Sequence, residues 1–299
     1  MKIQSLSIVV PTRKCVNNCP FCVSKTHDND YDNLQKEPLF EIDYKQRLEF
    51  ARDNGTNTII LTGTAEALQN KPFLEKFTKW NSELKKPFYV IELQTTAVYL
   101  DDKTLKWLRE DIGVKTISLS VSDLFDNENN LKIIGVHEKL RFDLDEITKK
   151  IKTFGFNLRI SLNILDNVKN KEIFVGAGFH NVWNFNVLFN RLKKLGADQV
   201  TFRQLWTSNN NTEIDNWIKE NTNLTNTFFN KLTNFIKENG RYLSKLPFGA
   251  DQYSIDEISV VVDDDCMSDK TIKEEMKYLI LRENGKLYFK WDDKGSLIF

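Results

Sequence analysis

Three of the four cysteines in this chain fall within one short run, Cys15-Val16-Asn17-Asn18-Cys19-Pro20-Phe21-Cys22. The spacing C-x3-C-x2-C presents three soft thiolates on a single loop and then stops. Such a set suits an iron–sulfur cluster in which three irons take a cysteine and the remaining iron keeps an open position. A structural zinc site normally wants four ligands. Here it would need Cys266 or His27 to complete it, and that reading stays open at this point.

The elements that must carry this loop read as α/β. Short β-branched runs at Leu6–Val10, Thr58–Thr62, Phe88–Gln94, Thr116–Val121, Leu158–Asn163 and Gln199–Leu205 alternate with longer amphipathic stretches. Helical stretches are expected at Tyr44–Asn54, Pro72–Leu84, Asp101–Glu110 and Leu144–Phe154. Asp43 and Asp143 serve as N-caps, and Gly55, Gly155 and Gly196 as stops. Six strand–helix units predict a parallel sheet with right-handed crossovers, and the cysteine loop follows its first strand. Residues 208–240 are polar and asparagine-rich, with a helical pattern at Asn226–Glu238. Beyond them, Glu283-Asn284-Gly285-Lys286 between two apolar runs signals a β-hairpin.

The composition argues against several classes of protein. Lysine plus arginine equals aspartate plus glutamate at 42 each, so the basic surplus that phosphate contacts require is missing and a nucleic-acid partner is disfavoured. No run of eighteen apolar residues predicts a membrane span, and Met1–Val10 runs into a strand pattern rather than a signal peptide. Four cysteines, three of them clustered, fit a reducing cytoplasm in which thiols are kept for metals.

The cysteine motif, with the aromatic Phe21 just before its last thiol, resembles the signature of the radical S-adenosylmethionine (radical SAM) superfamily. The resemblance implies a 4Fe-4S cluster on Cys15, Cys19 and Cys22 whose open iron chelates S-adenosyl-L-methionine (SAM). It also implies a partial (β/α)6, TIM-like barrel over residues 1–245, and residues 246–299 then read as an extension that closes the open side. Leu61-Thr62-Gly63-Thr64-Ala65-Glu66 looks like the family's Gly-Gly-Glu loop, with Ala65 in place of a glycine. Small residues expose backbone there, and Glu66 would accept from the SAM ammonium group. Phe21 would present its backbone to the adenine. Gln94, Ser120 and Ser122 would meet the ribose and carboxylate; on the fifth strand either Arg159 or Ser161 would contact the carboxylate, with Asn163 on the same strand face as a further cofactor-binding candidate. The alternative for these polar side chains is an inward hydrogen-bonded layer with no ligand.

By the same resemblance, one electron from a donor such as flavodoxin or ferredoxin cleaves SAM, and the 5′-deoxyadenosyl radical takes a hydrogen atom from substrate. Enzymes with auxiliary clusters need further cysteines, and Cys266 stands alone, so a small-molecule substrate is favoured. Cys266 is the candidate hydrogen-atom donor to a product radical. The acidic residues Asp251, Asp256 and Asp263–Asp265 are candidates to receive an amine or a guanidine-like base edge. Within the family the chain looks most like members acting on 7-deazaguanines, of which queuine lyase is one. A glycyl-radical activating enzyme with a protein partner, and a non-enzymatic metal module, are the other readings.

Overall fold

The computed structural model describes residues 2–12, 14–25, 40–169, 174–175, 182–208, 212–246, 250–263, 275–291 and 294–298. Among the expected site residues, His27, Asp264, Asp265 and Cys266 lie outside them, as does His180. The first part of the chain runs β1 (Lys2–Val9), α1 (Phe40–Asp53), β2 (Thr58–Thr62), α2 (Lys71–Ser82), β3 (Val90–Thr95) and α3 (Asp102–Trp107). It continues with β4 (Thr116–Val121), α4 (Asn127–Ile134), α5 (Leu144–Thr153) and β5 (Asn157–Asn163). A small ribbon, β6 (Phe174–Val175) against β7 (Val182–Trp183), precedes α6 (Phe185–Lys194) and β8 (Gln199–Arg203). The last part holds α7 (Glu213–Asn221), α8 (Thr225–Asn239), β9 (Arg241–Lys245), β10 (Asp251–Ile255), β11 (Ile258–Asp263), β12 (Glu275–Leu281) and β13 (Leu287–Tyr288).

Eleven strands form one sheet in the order β13-β12-β1-β2-β3-β4-β5-β8-β11-β10-β9. From β12 to β11 every neighbouring pair is parallel. Antiparallel strands finish each margin, and the two margins do not pair among the described residues, so the barrel is incomplete. The six strands expected from sequence are all present and adjacent in the middle. The C-terminal hairpin is present too, with β12 paired to β13 across Gly285, whose φ of 73° only glycine adopts without cost. Residues beyond 245 also contribute β11 beside β8 and β12 beside β1. A count of strand–helix units does not reach β11, because it follows β10 across a turn and not a helix.

The central strands alternate between two environments. Leu6, Ile8, Ile59, Leu61, Leu93, Leu119, Ile160 and Phe202 point outward, fully buried, into one core shared with Leu48, Phe77, Ile151 and Phe189 of the helices. Most of the intervening residues are polar and line the interior, among them Ser7, Thr58, Thr62, Gln94 and Thr201, with the apolar Ile60 as an exception. Helix α5 shows how the outer layer is specified. Leu144, Ile147, Thr148 and Ile151 recur at helical spacing and are buried. Asp143 caps its start by accepting from Glu146 N at 2.9 Å, and Gly155 (φ 77°) follows its end. One expected boundary moves: α1 begins at Phe40, so Asp43 lies inside its first turn rather than capping it. The ring of Phe40 packs 5.5 Å from Tyr44 and 6.1 Å from Trp80, extending the apolar face a turn earlier. No helix among the described residues is long and apolar enough to cross a membrane.

Candidate functional site

The cysteine loop leaves the C-terminal end of β1, and its three thiols are half-buried. It is braced from several directions. Asn17 Nδ2 donates to Thr96 Oγ1 at 2.7 Å, Gln69 Nε2 donates to Lys14 O at 2.8 Å, and Gln69 Oε1 accepts from Val16 N at 2.9 Å. Lys25 Nζ donates to Asn18 Oδ1 (2.7 Å) and Cys19 O (2.9 Å), closing the loop on itself. The C-terminal end of α4 supports it from below. Cys19 Sγ donates to Ile134 O at 3.2 Å, and Asn18 N donates to Gly135 O at 3.2 Å. Gly135 has φ 68°, and a Cβ there would stand 2.8 Å from Asn18 O, so neither its backbone nor its space admits a side chain.

Burial raises the Cys15 thiol above its ordinary value, opposed by hydrogen bonds from the backbone N–H groups of Asn17 and Glu66. Burial, with the neighbouring Cys22 and Cys15 sulfurs, pushes Cys19 up to about 12. Cys22 Sγ lies 2.9 Å from Ser24 Oγ. Among the described residues no three His, Cys, Asp or Glu side chains converge on one metal ion. The Phe21 ring packs 5.7 Å from Trp217 of α7, beside the thiols.

The loop after β2 lies against the cysteines. A Cβ on Gly63 would meet Ala65 O at 3.1 Å and Val10 O at 3.2 Å, which accounts for glycine there. Ala65 has no left-handed backbone, so alanine fits where the family pattern has glycine. Glu66 is buried, and its carboxylate turns to the end of β3. Its Oε1 accepts from Thr95 Oγ1 (2.7 Å), and its Oε2 accepts from Thr96 N and Thr96 Oγ1 (both 2.9 Å). Glu66, Thr96 and Asn17 thus tie the two loops together.

Inside the barrel is a cavity of about 440 Å³, reached by Val23 and Ser24 of the cysteine loop and by Gly63, Thr64, Gln94 and Arg159. Arg159 bridges the interior, with its guanidinium 2.5 Å from Glu92 Oε2 and its Nε donating to Gln199 Oε1 at 2.8 Å. Arg203, Lys277, Arg282 and Trp291 line the same space. Arg282 is almost wholly buried, with its guanidinium 5.1 Å from the Trp291 ring centre.

Not every expected residue meets at this cavity. Ser120 and Ser161 sit opposite each other on β4 and β5, Ser161 buried and Ser120 half-buried. Ser122 and Asn163 hydrogen-bond each other at 3.2 Å and line a separate small pocket with Asn167 and Phe228. Asp251 is exposed, and Asp256 (φ 48°) with Glu257 (φ 69°) forms the turn between β10 and β11. Glu92, Gln199, Arg282 and Trp291 were not singled out from sequence. Glu92 had a signal, since it lies two residues before Gln94 and period two puts both on one strand face. Arg282 and Trp291 belong to the hairpin and become cavity residues only through the β12–β1 pairing.

Comparison with solved structures finds SuiB of Streptococcus suis bound to precursor peptide SuiA, with TM-score 0.55, 15% identity, and coverage of 96% of this chain and 59% of that one. SuiB bound to S-adenosylmethionine gives TM-score 0.54 at 15% identity, over 96% of this chain and 60% of that one. Coproporphyrinogen III oxidase (HemN) from Escherichia coli, described as a radical SAM enzyme, gives TM-score 0.53 at 14% identity, over 85% and 56% of the two chains. The chain therefore spans about six-tenths of these structures, and at such identities the likeness is one of fold. Comparison with curated proteins gives no match. The Radical SAM superfamily model matches residues 9–173, more than half of the sequence and including the cysteine loop, the loop after β2 and strands β2 to β5. This chain belongs to the radical SAM superfamily.

Proposed function

We propose that this chain is a radical SAM enzyme in which Cys15, Cys19 and Cys22 hold the cluster and the barrel cavity receives SAM and a small-molecule substrate. The cofactors of the superfamily are a 4Fe-4S cluster and S-adenosyl-L-methionine. The donor set fits: three soft thiols share one braced loop, and two backbone N–H groups directed at the Cys15 sulfur favour its thiolate. When bound, the pair supplies one-electron cleavage of SAM to a 5′-deoxyadenosyl radical, which takes a hydrogen atom from the substrate.

The chain's own residues bind, orient and exclude water. Gly63 and Thr64 offer backbone at close range at the cavity mouth, and Gln94 with Arg159 offers hydrogen-bonding groups for a ribose or carboxylate. Glu66 acts through position, locking Thr95, Thr96 and the cysteine loop to one another. The observation that carries this reading is the partly open cavity of about 440 Å³ lined in part by Val23 and Ser24 of the cysteine loop, a size within the range of small-molecule sites. A 7-deazaguanine, as in queuine lyase, is the substrate we assign to it.

Anaerobic reconstitution with iron, sulfide, SAM and dithionite tests this. Formation of 5′-deoxyadenosine that depends on added queuine supports the lyase, and no cleavage with any small molecule sinks it. A second reading is a peptide substrate. Strand β9 is exposed along all five residues at the free margin of the sheet, the kind of edge to which an extended peptide adds. SAM cleavage stimulated only by a peptide would favour that reading.

A further inference from the structure

The three cysteine sulfurs do not make their hydrogen bonds with the same kind of group. Cys15 is met by the backbone N–H groups of Asn17 and Glu66. Cys19 gives its own thiol hydrogen to Ile134 O at 3.2 Å. Cys22 Sγ stands 2.9 Å from a side-chain hydroxyl, Ser24 Oγ. Either atom can donate while Cys22 is a thiol. A sulfur that ligates iron is a thiolate with no hydrogen left to give, so in the loaded protein Ser24 is the donor and Cys22 the acceptor. Two further features hold this hydroxyl in place. Ser24 sits in the single turn Val23–Lys25, tied back to the cysteines by Lys25 N, which donates to Cys22 O at 3.0 Å. It is also half-buried and lines the barrel cavity.

A donor aimed at a ligating sulfur favours whichever redox state carries more negative charge there. Reduction adds one electron to a centre held by three thiolates, so the Ser24 bond is stronger after reduction than before. We infer that Ser24 is a positioning residue that raises the reduction potential of the centre held by Cys15, Cys19 and Cys22, through a hydrogen bond from its hydroxyl to the Cys22 sulfur. The electron comes from a one-electron donor, and no covalent bond forms or breaks, because the hydrogen stays on Ser24 Oγ. The backbone donors at Cys15 act in the same direction but survive any side-chain change, whereas the Ser24 contribution can be removed alone. Its place on the cavity wall strengthens the effect. A ligand in the cavity displaces water from the hydroxyl, and a hydrogen bond in a drier site is electrostatically stronger. This inference rests on the cluster assignment above and not on which substrate the cavity receives.

The test is a mediated redox titration of the anaerobically reconstituted protein without SAM, so that reduction is not followed by cleavage. Dithionite is the one-electron reductant, and the electron paramagnetic resonance signal of the reduced centre is the readout. Iron bound per chain is measured alongside. In Ser24→Ala the reduced-to-oxidised ratio at a fixed poise should fall about three- to ten-fold, the upper end being about 59 mV for one electron. Ser24→Thr keeps the hydroxyl and should titrate with the parent. An alanine variant that titrates with the parent overturns the inference. So does a threonine variant displaced as far as the alanine one, since the turn and not the hydroxyl would then be responsible. Iron lost from the alanine variant alone overturns it too, because the hydroxyl would then serve loading rather than potential. A parent chain that holds no iron overturns the cluster assignment itself, and the inference with it.

Discussion

The two faces of the same strands can be set side by side. On β4, Ile117, Leu119 and Val121 point outward and are buried in the helix layer, while Thr116, Ser118 and Ser120 point inward. On β8, Val200 and Phe202 do the first and Gln199, Thr201 and Arg203 the second. Outward residues are interchangeable in chemistry and constrained in volume. Inward residues are constrained by which hydrogen bonds and charges they complete. Stability and site therefore share one backbone at alternate positions, and a one-residue register slip would exchange them.

The largest expected contrast lies on β8. Phe202 is fully buried and meets the Phe189 ring edge-on at 6.1 Å. Phe202→Ala should destabilise the protein by about 3–5 kcal/mol. Its neighbour Thr201, half-buried on the cavity, should lose no more than about 1 kcal/mol as Thr201→Ala. Urea unfolding of the two variants measures the difference, and comparable losses would erase the distinction between faces.

One inward position should behave otherwise. Arg159→Met leaves the Glu92 carboxylate buried without its partner, a situation that typically costs about 3–5 kcal/mol. The Arg159 side chain is 30% exposed, so the lower end of that range is expected. Arg159→Met with Glu92→Leu removes both charges and should recover most of the loss. A double variant no more stable than the single one would mean that packing, and not charge, sets the cost.

A smaller effect on stability, but a decisive one on cofactor loading, is expected at Gly135. Gly135→Ala forces a left-handed backbone and a clash with Asn18, for about 1–3 kcal/mol of strain beside the cysteines. Gly113 has φ 80° with nothing within 4 Å of a Cβ, so Gly113→Ala carries the strain without the clash. Iron bound per chain after anaerobic reconstitution should fall in the first variant and stay at the parent level in the second.

Much of this arrangement was legible in the sequence. Short β-branched runs marked the six central strands, and the glycines at 55, 155 and 196 marked helix ends because each has positive φ. The cysteine loop and the loop after β2 were found because their chemistry is local. What could not be read was set by pairing between distant segments. Ser122 and Asn163 are expected as strand-end ligands, and their mutual hydrogen bond across β4 and β5 is seen only once the strands pair. Arg282 reaches the cavity only because β12 lies against β1, 272 residues away in sequence at the Ser5 Oγ–Lys277 O bond. Helix α7 was passed over as polar and asparagine-rich, although Thr212 and Asp215 carry a capping box at its start.

That capping box gives the smallest and most conditional effect, at a buried polar group on neither face of the sheet. Asp215 Oδ1 accepts from Ser208 N at 2.7 Å, and its Oδ2 accepts from Ser208 Oγ at 2.7 Å and Thr212 N at 3.2 Å. Burial alone would raise this carboxyl, but the hydrogen bonds from Ser208 and Thr212 outweigh it and hold it at about 2. An unfolded aspartate titrates near about 3.9. A depressed folded value therefore stabilises the protein above that pH, and the contribution is lost as the pH falls from about 4 towards 2. Asp215→Asn should lower the urea midpoint at pH 6, with the gap from the parent closing over that acid window. Because α7 carries Trp217 against Phe21, the variant should also loosen the aromatic contact beside Cys22. A gap that stays constant with pH would show that the cap works through hydrogen-bond geometry alone, and the charge on Asp215 would then have no part in holding α7 against the cysteine loop.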